Sequence, residues 1–287
     1  TTIIRNTLGF GGKVVSLTPH FHFPKLGIGR IAQNLAARIQ KNGGKIKNEV
    51  VINKIKKTKF GCNVITNQGD FGADLLVSSI PIDELVKMIE PKAPQKILQA
   101  TEKLNYIHQK IVVLLANKPR LTHFTWVYVH PPKIKFFRFL ETNNWSPAMS
   151  PKGKTSLAFE YPYQKGDDLE KISDKGLIDL TISDFIKYFS PQTKKADIIK
   201  GYVFKVNKAY PKYDLQYREP LGEIKKFLKE NFPNLQLIGR NGMFRYNNMD
   251  HAVYTGLLAA RNILVGKMIY NIENVNEEAK YLEEKEL

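Results

Sequence analysis

Leu237-Ile238-Gly239-Arg240-Asn241-Gly242-Met243-Phe244-Arg245-Tyr246-Asn247-Asn248-Met249-Asp250 is the stretch that decides how this 287-residue sequence reads. Leu235 to Ile238 is a short apolar run, as a buried strand requires, and Gly239 ends it. A polar, glycine-bearing loop follows, and Asp250 opens a helical stretch to Val265 that carries Ala259-Ala260. Loops after the carboxyl ends of buried strands are where open α/β sheets bind ligands. A helix amino terminus adds free N–H groups and positive potential for an anion or an electron-rich ring. On periodicity alone the segment is equally an ordinary strand–loop–helix connection with Asp250 as its cap.

Working outward, apolar Ile28, Ile31, Leu35, Ala36 and Ile39 recur at helical spacing, which predicts a helix over Ile28 to Asn42 ended by Gly43-Gly44. Strand character follows at Lys45 to Ile55, Cys62 to Thr66 and the nearly continuous apolar run Ala73 to Ile80, with a helix near Asp83 to Ile89. The middle changes style. Tyr106 to Ala116, Thr122 to Val129, Ile134 to Leu140, Ser156 to Tyr163 and Ile198 to Val206 read as strands, and Gly176 to Phe189 as a helix. The first style returns with a helix over Pro220 to Asn231, the strand at Leu235, the helix to Val265 and an acidic tail expected to fray after Asn271. The expectation is an α/β fold with mixed α+β character, in which a mixed-sheet domain is inserted into an incomplete Rossmann-like domain. The boundaries expected are residues 1–84, 85–215, 216–270 and a tail 271–287.

Composition narrows the classes. With 43% apolar and 25% charged residues the chain is neither disordered nor collagen-like. The longest apolar run, Ile111 to Ala116, is far below the ~18 residues of a membrane span. A lone cysteine, Cys62, excludes an internal disulfide framework, so a cytoplasmic setting is expected, with Cys62 packed in a core. The net charge of +17 comes from lysines spread along the chain, and no nucleic-acid-binding signature accompanies it, so no nucleic-acid partner is expected. His20 and His22 have no third ligand in view, and no metal is expected. The sequence opens on Thr1, and Thr1 to Gly12 lead into no clear element, so a missing preceding segment is expected.

Gly27-Ile28-Gly29-Arg30-Ile31-Ala32 fits G-x-G-x-x-A, with Glu49 twenty residues after Gly29 where a ribose-binding acid belongs. The context fails, because Phe21 to Leu26 is short and broken by Pro24. The preferred reading is a glycine-rich turn that starts a helix.

The Gly239 to Asp250 run resembles the carboxyl-terminal flavin-binding segment of the UDP-galactopyranose mutase and flavin amine oxidase / protoporphyrinogen oxidase superfamily. Gly239-Arg240, Phe244-Arg245-Tyr246 and Met249-Asp250 occur in the order of the mutase-like branch. Weaker blocks fall in the same order: Pro24 to Ile39, Gly43-Gly44, Ile52 to Ile55, Ala73 to Pro81, Asn144 to Asp168, and Ala209 to Asp214. The resemblance implies a two-domain flavoprotein that uses FAD on a small-molecule substrate, by oxidation or by a flavin-dependent mutase reaction on a sugar nucleotide. It places Gly239, Arg240, Met249 and Asp250 along the ribityl, pyrophosphate and flavin edge, and the backbone of Ile52 at the adenine. Trp145, Tyr210, Arg245 and Tyr246 are the expected substrate residues; Tyr161, Tyr163, Tyr213 and Arg138 are further candidates, and no catalytic residue is singled out. Two departures stand out: the strand followed by G-x-G-x-x-G is absent, and Asn247 stands where mutases carry a further tyrosine. A binding module that has lost the flavin is the alternative.

Overall fold

The structure, a computed structural model, describes residues 22–276. Helix α1 is Gly29–Lys41. It follows a turn in which Gly27 (φ +94°) donates its N–H to the Pro24 carbonyl at 2.8 Å, and residues 22–26 form no strand. The glycine-rich turn reading therefore holds, and a Cβ at Gly27 would meet the Met149 sulfur at 2.9 Å. Three antiparallel strands come next: β1 (Ile52–Lys57), β2 (Cys62–Thr66) and β3 (Gly69–Ala73). The strand expected from Lys45 begins only at Ile52, because Glu49 at φ +58° breaks the extended backbone before it. The apolar run Ala73 to Ile80 divides at Asp74, leaving β4 as Leu76–Ser78. Then come α2 (Ile82–Met88), β5 (Ile89–Glu90), which joins β1 in parallel, and α3 (Gln95–Glu102).

The middle of the chain builds a five-stranded sheet in the order β10-β6-β9-β8-β7, with every pairing antiparallel. Its elements are β6 (Asn105–Ala116), β7 (Trp126–Tyr128), β8 (Arg138–Glu141), α4 (Thr142–Trp145), β9 (Thr155–Tyr163), α5 (Asp168–Lys171), α6 (Asp174–Tyr188) and β10 (Ile198–Lys212). Burial alternates along β9, so one face is dry and the other open. The dry face brings Val112, Leu114, Phe139, Leu157 and Phe159 against Leu177 and Phe185 of α6. Tyr161 belongs to this core, fully buried with its hydroxyl 2.7 Å from that of Thr181. Tyr163 is buried as well. Both candidate pocket aromatics are buried instead of lining the open face, because odd positions on β9 fall on its dry side, Tyr161 against α6 and Tyr163 beside the His108 ring at 5.4 Å.

The chain then returns to the first region. Helix α7 (Arg218–Asn231) sends Ile224 and Leu228 into one core with Ile55, Ile82, Leu85, Ile97 and Phe244. Strand β11 (Leu235–Leu237) pairs in parallel with β4, followed by α8 (Gly239–Gly242) and α9 (Met249–Val265). Residues 272–276 do not fray as expected: Ile272 and Val275 are buried beside Leu258 and Ala259. No helix among the described residues is long and apolar enough to cross a membrane.

Candidate functional site

β4 and β11 are parallel neighbours, so their carboxyl ends lie side by side. Ile238 donates its N–H to the Ser78 carbonyl at 3.0 Å, and Gly239 turns at φ +70° while its own N–H reaches the Thr255 hydroxyl at 3.0 Å. Gly242 packs so closely on the end of β4 that a Cβ there would lie 2.6 Å from the Ser78 carbonyl oxygen and 3.1 Å from Ser79 Cα. The loop then enters α9 through a capping box, in which the Asn248 N–H donates to His251 Nδ1 at 3.2 Å.

This loop is dense in buried polar atoms without partners. Asn241 Oδ1, both amide atoms of Asn247, and Asp250 Oδ2 are buried and unbonded; among the described residues only Asn143 Oδ1 shares that state. A buried polar group left unpaired costs about 1–3 kcal/mol, so such a concentration marks a place where something further is bonded.

Above the loop, Arg240 ties three segments together. Its Nε donates to the Asn247 carbonyl at 2.7 Å and its Nη1 to the Ala209 carbonyl at 2.9 Å. The guanidinium lies 4.5 Å from the Tyr210 ring centre and 5.6 Å from that of Tyr246, and the two rings stack at 5.3 Å. Burial first, then neighbouring Tyr210, pushes the Tyr246 hydroxyl above the ordinary tyrosine range; Arg240 pulls the other way, and Tyr128 and Arg138 also act on it. The Tyr213 hydroxyl accepts the Tyr246 N–H at 2.6 Å.

Tyr210 reaches this stack because β10 is bulged: its register against β6 shifts between Val206 and Tyr210, with Lys208 at φ +52°. The Lys208 ammonium lies 2.5 Å from Asp83 Oδ2, 2.8 Å from Glu84 Oε1 and 4.8 Å from the Tyr106 ring centre. Tyr106 donates its hydroxyl to Asp83 at 2.8 Å, and burial together with that carboxylate holds its pKa far above normal. The Lys208 carbonyl accepts from Asn241 Nδ2 at 3.0 Å, so this half-buried lysine joins α2, β10 and the loop. Sequence reasoning missed Lys208 and Asp83.

The open face of the middle sheet continues the site. Arg138 makes a bidentate pair with Glu160, at 2.6 and 2.9 Å from one nitrogen, and Gln109 donates to the same carboxylate at 2.8 Å. Arg138 also donates to the Tyr128 hydroxyl at 3.2 Å. Trp126 stands two residues before Tyr128 on β7, with Trp145 packed on it at 4.9 Å.

The expected residues are thus distributed as follows. Gly239, Arg240, Asp250, Tyr210 and Tyr246 meet around one loop. Trp145 lies at the far end of the aromatic row, its indole N–H on the Thr125 carbonyl at 2.8 Å. Arg245 is engaged elsewhere, on the Glu273 and Val275 carbonyls and the Glu273 carboxylate. Met249 begins α9 with an exposed side chain, and Ile52 begins β1, half-buried against the first core. No cluster of three metal-ligating side chains occurs among the described residues, and His20 lies outside them.

A search of curated proteins found no match. Among solved structures, reduced UDP-galactopyranose mutase superposes with a TM-score of 0.75 at 20% identity, over 89% of this chain and 54% of that one. Putrescine oxidase bound to putrescine gives 0.60 at 12%, over 83% and 53%. The fatty acid isomerase of P. acnes that produces CLA gives 0.56 at 15%, over 82% and 52%. At these identities the likeness is one of fold, and the chain spans about half the length of each. The model of the family of flavin containing amine oxidoreductases matches residues 3–264, nearly the whole chain, and the chain belongs to that family, whose cofactor is FAD.

Proposed function

We propose that this chain supplies the carboxyl-end flavin-binding segment and the substrate-covering domain of an FAD-dependent oxidoreductase or flavin-dependent mutase. The observation that carries the reading is the set of unpartnered buried polar atoms on Asn241, Asn247 and Asp250, at the carboxyl ends of β4 and β11. Those residues fit a flavin: they offer donors and acceptors to a ring edge rich in both, while Gly242 lets the loop close on the Ser78 carbonyl and Gly239 makes the turn at φ +70°. Residues 22–84 and 216–270 would hold FAD, and 85–215 would cover it. Gly239, Arg240, Met249 and Asp250 would hold the cofactor, and the Ile52 backbone would meet its adenine. When bound, the flavin supplies the acceptance and return of electrons.

The chain's own residues orient the substrate and exclude water. Tyr210 and Tyr246 form a stacked aromatic floor, and Tyr128, Trp126 and Trp145 extend it along the sheet. Glu160 is already neutralised by Arg138, whereas no carboxylate among the described residues pairs with Arg240. At the stacked rings themselves the uncompensated charge is the Arg240 guanidinium, which favours an anionic group there, whereas Asp83 and Glu84 around the single Lys208 ammonium leave one excess negative charge behind the loop. Titrating the chain with FAD and following flavin fluorescence tests the reading. Binding should be lost in Asp250→Lys and Gly239→Val while circular dichroism stays unchanged. Equal flavin binding by both variants overturns the placement.

A further inference from the structure

At the other end of the middle sheet lies a concavity of about 370 Å³ lined by Pro119, Arg120, Asn143, Ser150, Lys152 and Lys154 among others, with no acidic residue in its lining. None of its three cations has an ion-pair partner among the described residues, although the same domain pairs Lys118 with Asp197, Arg138 with Glu160 and Lys205 with Asp174.

The walls are fixed. Glu141 is fully buried and accepts from the N–H groups of Leu121 at 2.8 Å and Thr122 at 2.7 Å, and from the hydroxyl of Thr155 at 2.9 Å. One carboxylate thus anchors the residue after Arg120 and the residue after Lys154. Asn143 Nδ2 spans the same two walls, donating to the Pro119 carbonyl at 3.0 Å and the Lys154 carbonyl at 2.7 Å. Two carbonyl contacts settle which amide atom is nitrogen, so Asn143 Oδ1 is the buried acceptor left without a donor. The concavity is separate from the flavin loop, since Ala116 pairs with Ile198 and Thr155 whereas Tyr210 pairs with Ile107, and it adjoins only the far end of the aromatic row, where Trp145 lies between its lining residues Asn143 and Pro147. Nine strand residues at ~3.3 Å each put about 30 Å between the two ends.

We propose that this concavity is a second binding site, for a small soluble phosphomonoester-class anion. Three unpaired cations on opposed, pre-set walls create the local positive potential such an anion needs. Arginine matches phosphate oxygens in bidentate fashion, and the lysines add point charge. Preformed walls keep the ordering cost of binding low.

The test is calorimetric titration of the full chain with inorganic phosphate and with glycerol phosphate, at ionic strength held constant with chloride. The expected result is one site, weakened about tenfold or more in Arg120→Ala/Lys152→Ala/Lys154→Ala at unchanged melting temperature. If the triple variant melts early, Arg120→Ala alone, with the Gly153 amide followed by NMR, gives the same readout. Three outcomes overturn the proposal: no saturable heat with either anion, undiminished binding in the variants, or binding only to phosphatidic acid vesicles and not to soluble phosphate.

Discussion

The middle sheet and the parallel pair β4–β11 solve the burial problem to different degrees. In the middle region Phe136, Phe139, Phe159 and Phe185 interlock with ring centres 5.1–6.0 Å apart, and α6 closes the dry face. Around β4–β11 the apolar surface stays open. Helix α1 is amphipathic, yet it has no buried residue, and Ile28, Ile31, Leu35 and Ile39 on its apolar stripe are exposed. Val77 on β4 and Leu257, Leu264 and Val265 on α9 are exposed too. Parallel sheets are normally covered on both faces, and two strands alone are marginal in water. The difference separates a region that closes its own core from one whose pattern is written for more contacts than the described residues supply.

The largest effect should come from the closed region. Phe159 is fully buried between Phe136, Phe139 and Phe185, so Phe159→Ala removes a ring from a dense cluster. Urea denaturation should show a loss of about 3–5 kcal/mol. A loss below about 1 kcal/mol would put the middle core in the same class as the open region.

The open region should be nearly indifferent to the converse experiment. Ile31→Glu with Leu35→Lys replaces two exposed apolar side chains on α1, four residues apart. The pair is an i,i+4 Glu–Lys combination that suits a helix. The expected change in unfolding free energy is within about 0.5 kcal/mol, with a clear drop in binding of an apolar dye. Strong destabilisation would show that α1 is covered in solution and that the contrast between the regions fails.

Much of this architecture is legible in the sequence, and the exceptions have physical causes. The helices over α1, α6, α7 and α9 were readable to within about two residues, because apolar residues recur at helical spacing through each. Helix α3 escaped notice because it has only eight residues and little apolar pattern beyond Ile97 and Ala100. The continuation of β10 to Lys212 escaped because Asn207-Lys208-Ala209 bulges out and hides the alternation. In the site, Gly239, Arg240, Tyr210 and Tyr246 were reached through resemblance, and the structure brings them together. The Lys208–Asp83 pair spans 125 residues of sequence, and no local spacing announces such a contact.

The smallest effect probes the edge of the closed region. Asp184 sits on α6, and burial raises its carboxyl above the ordinary aspartate range, with Lys187 opposing the shift. A raised folded-state pKa means that the native protein holds this proton more tightly than the unfolded chain does. The associated stability is complete below the unfolded value and is lost as pH rises through the folded value. At neutral pH the wild type therefore carries a partly desolvated charge that Asp184→Asn lacks. The variant should melt about a degree higher at pH 7, and the advantage should shrink to nothing in acid, below the range of an unfolded aspartate. Solvent screening keeps the effect small, since the group is only partly buried. A variant that melts lower at pH 7 would mean that the Lys187 attraction outweighs desolvation, and that the rim of the middle core is wetter than its interior rings suggest.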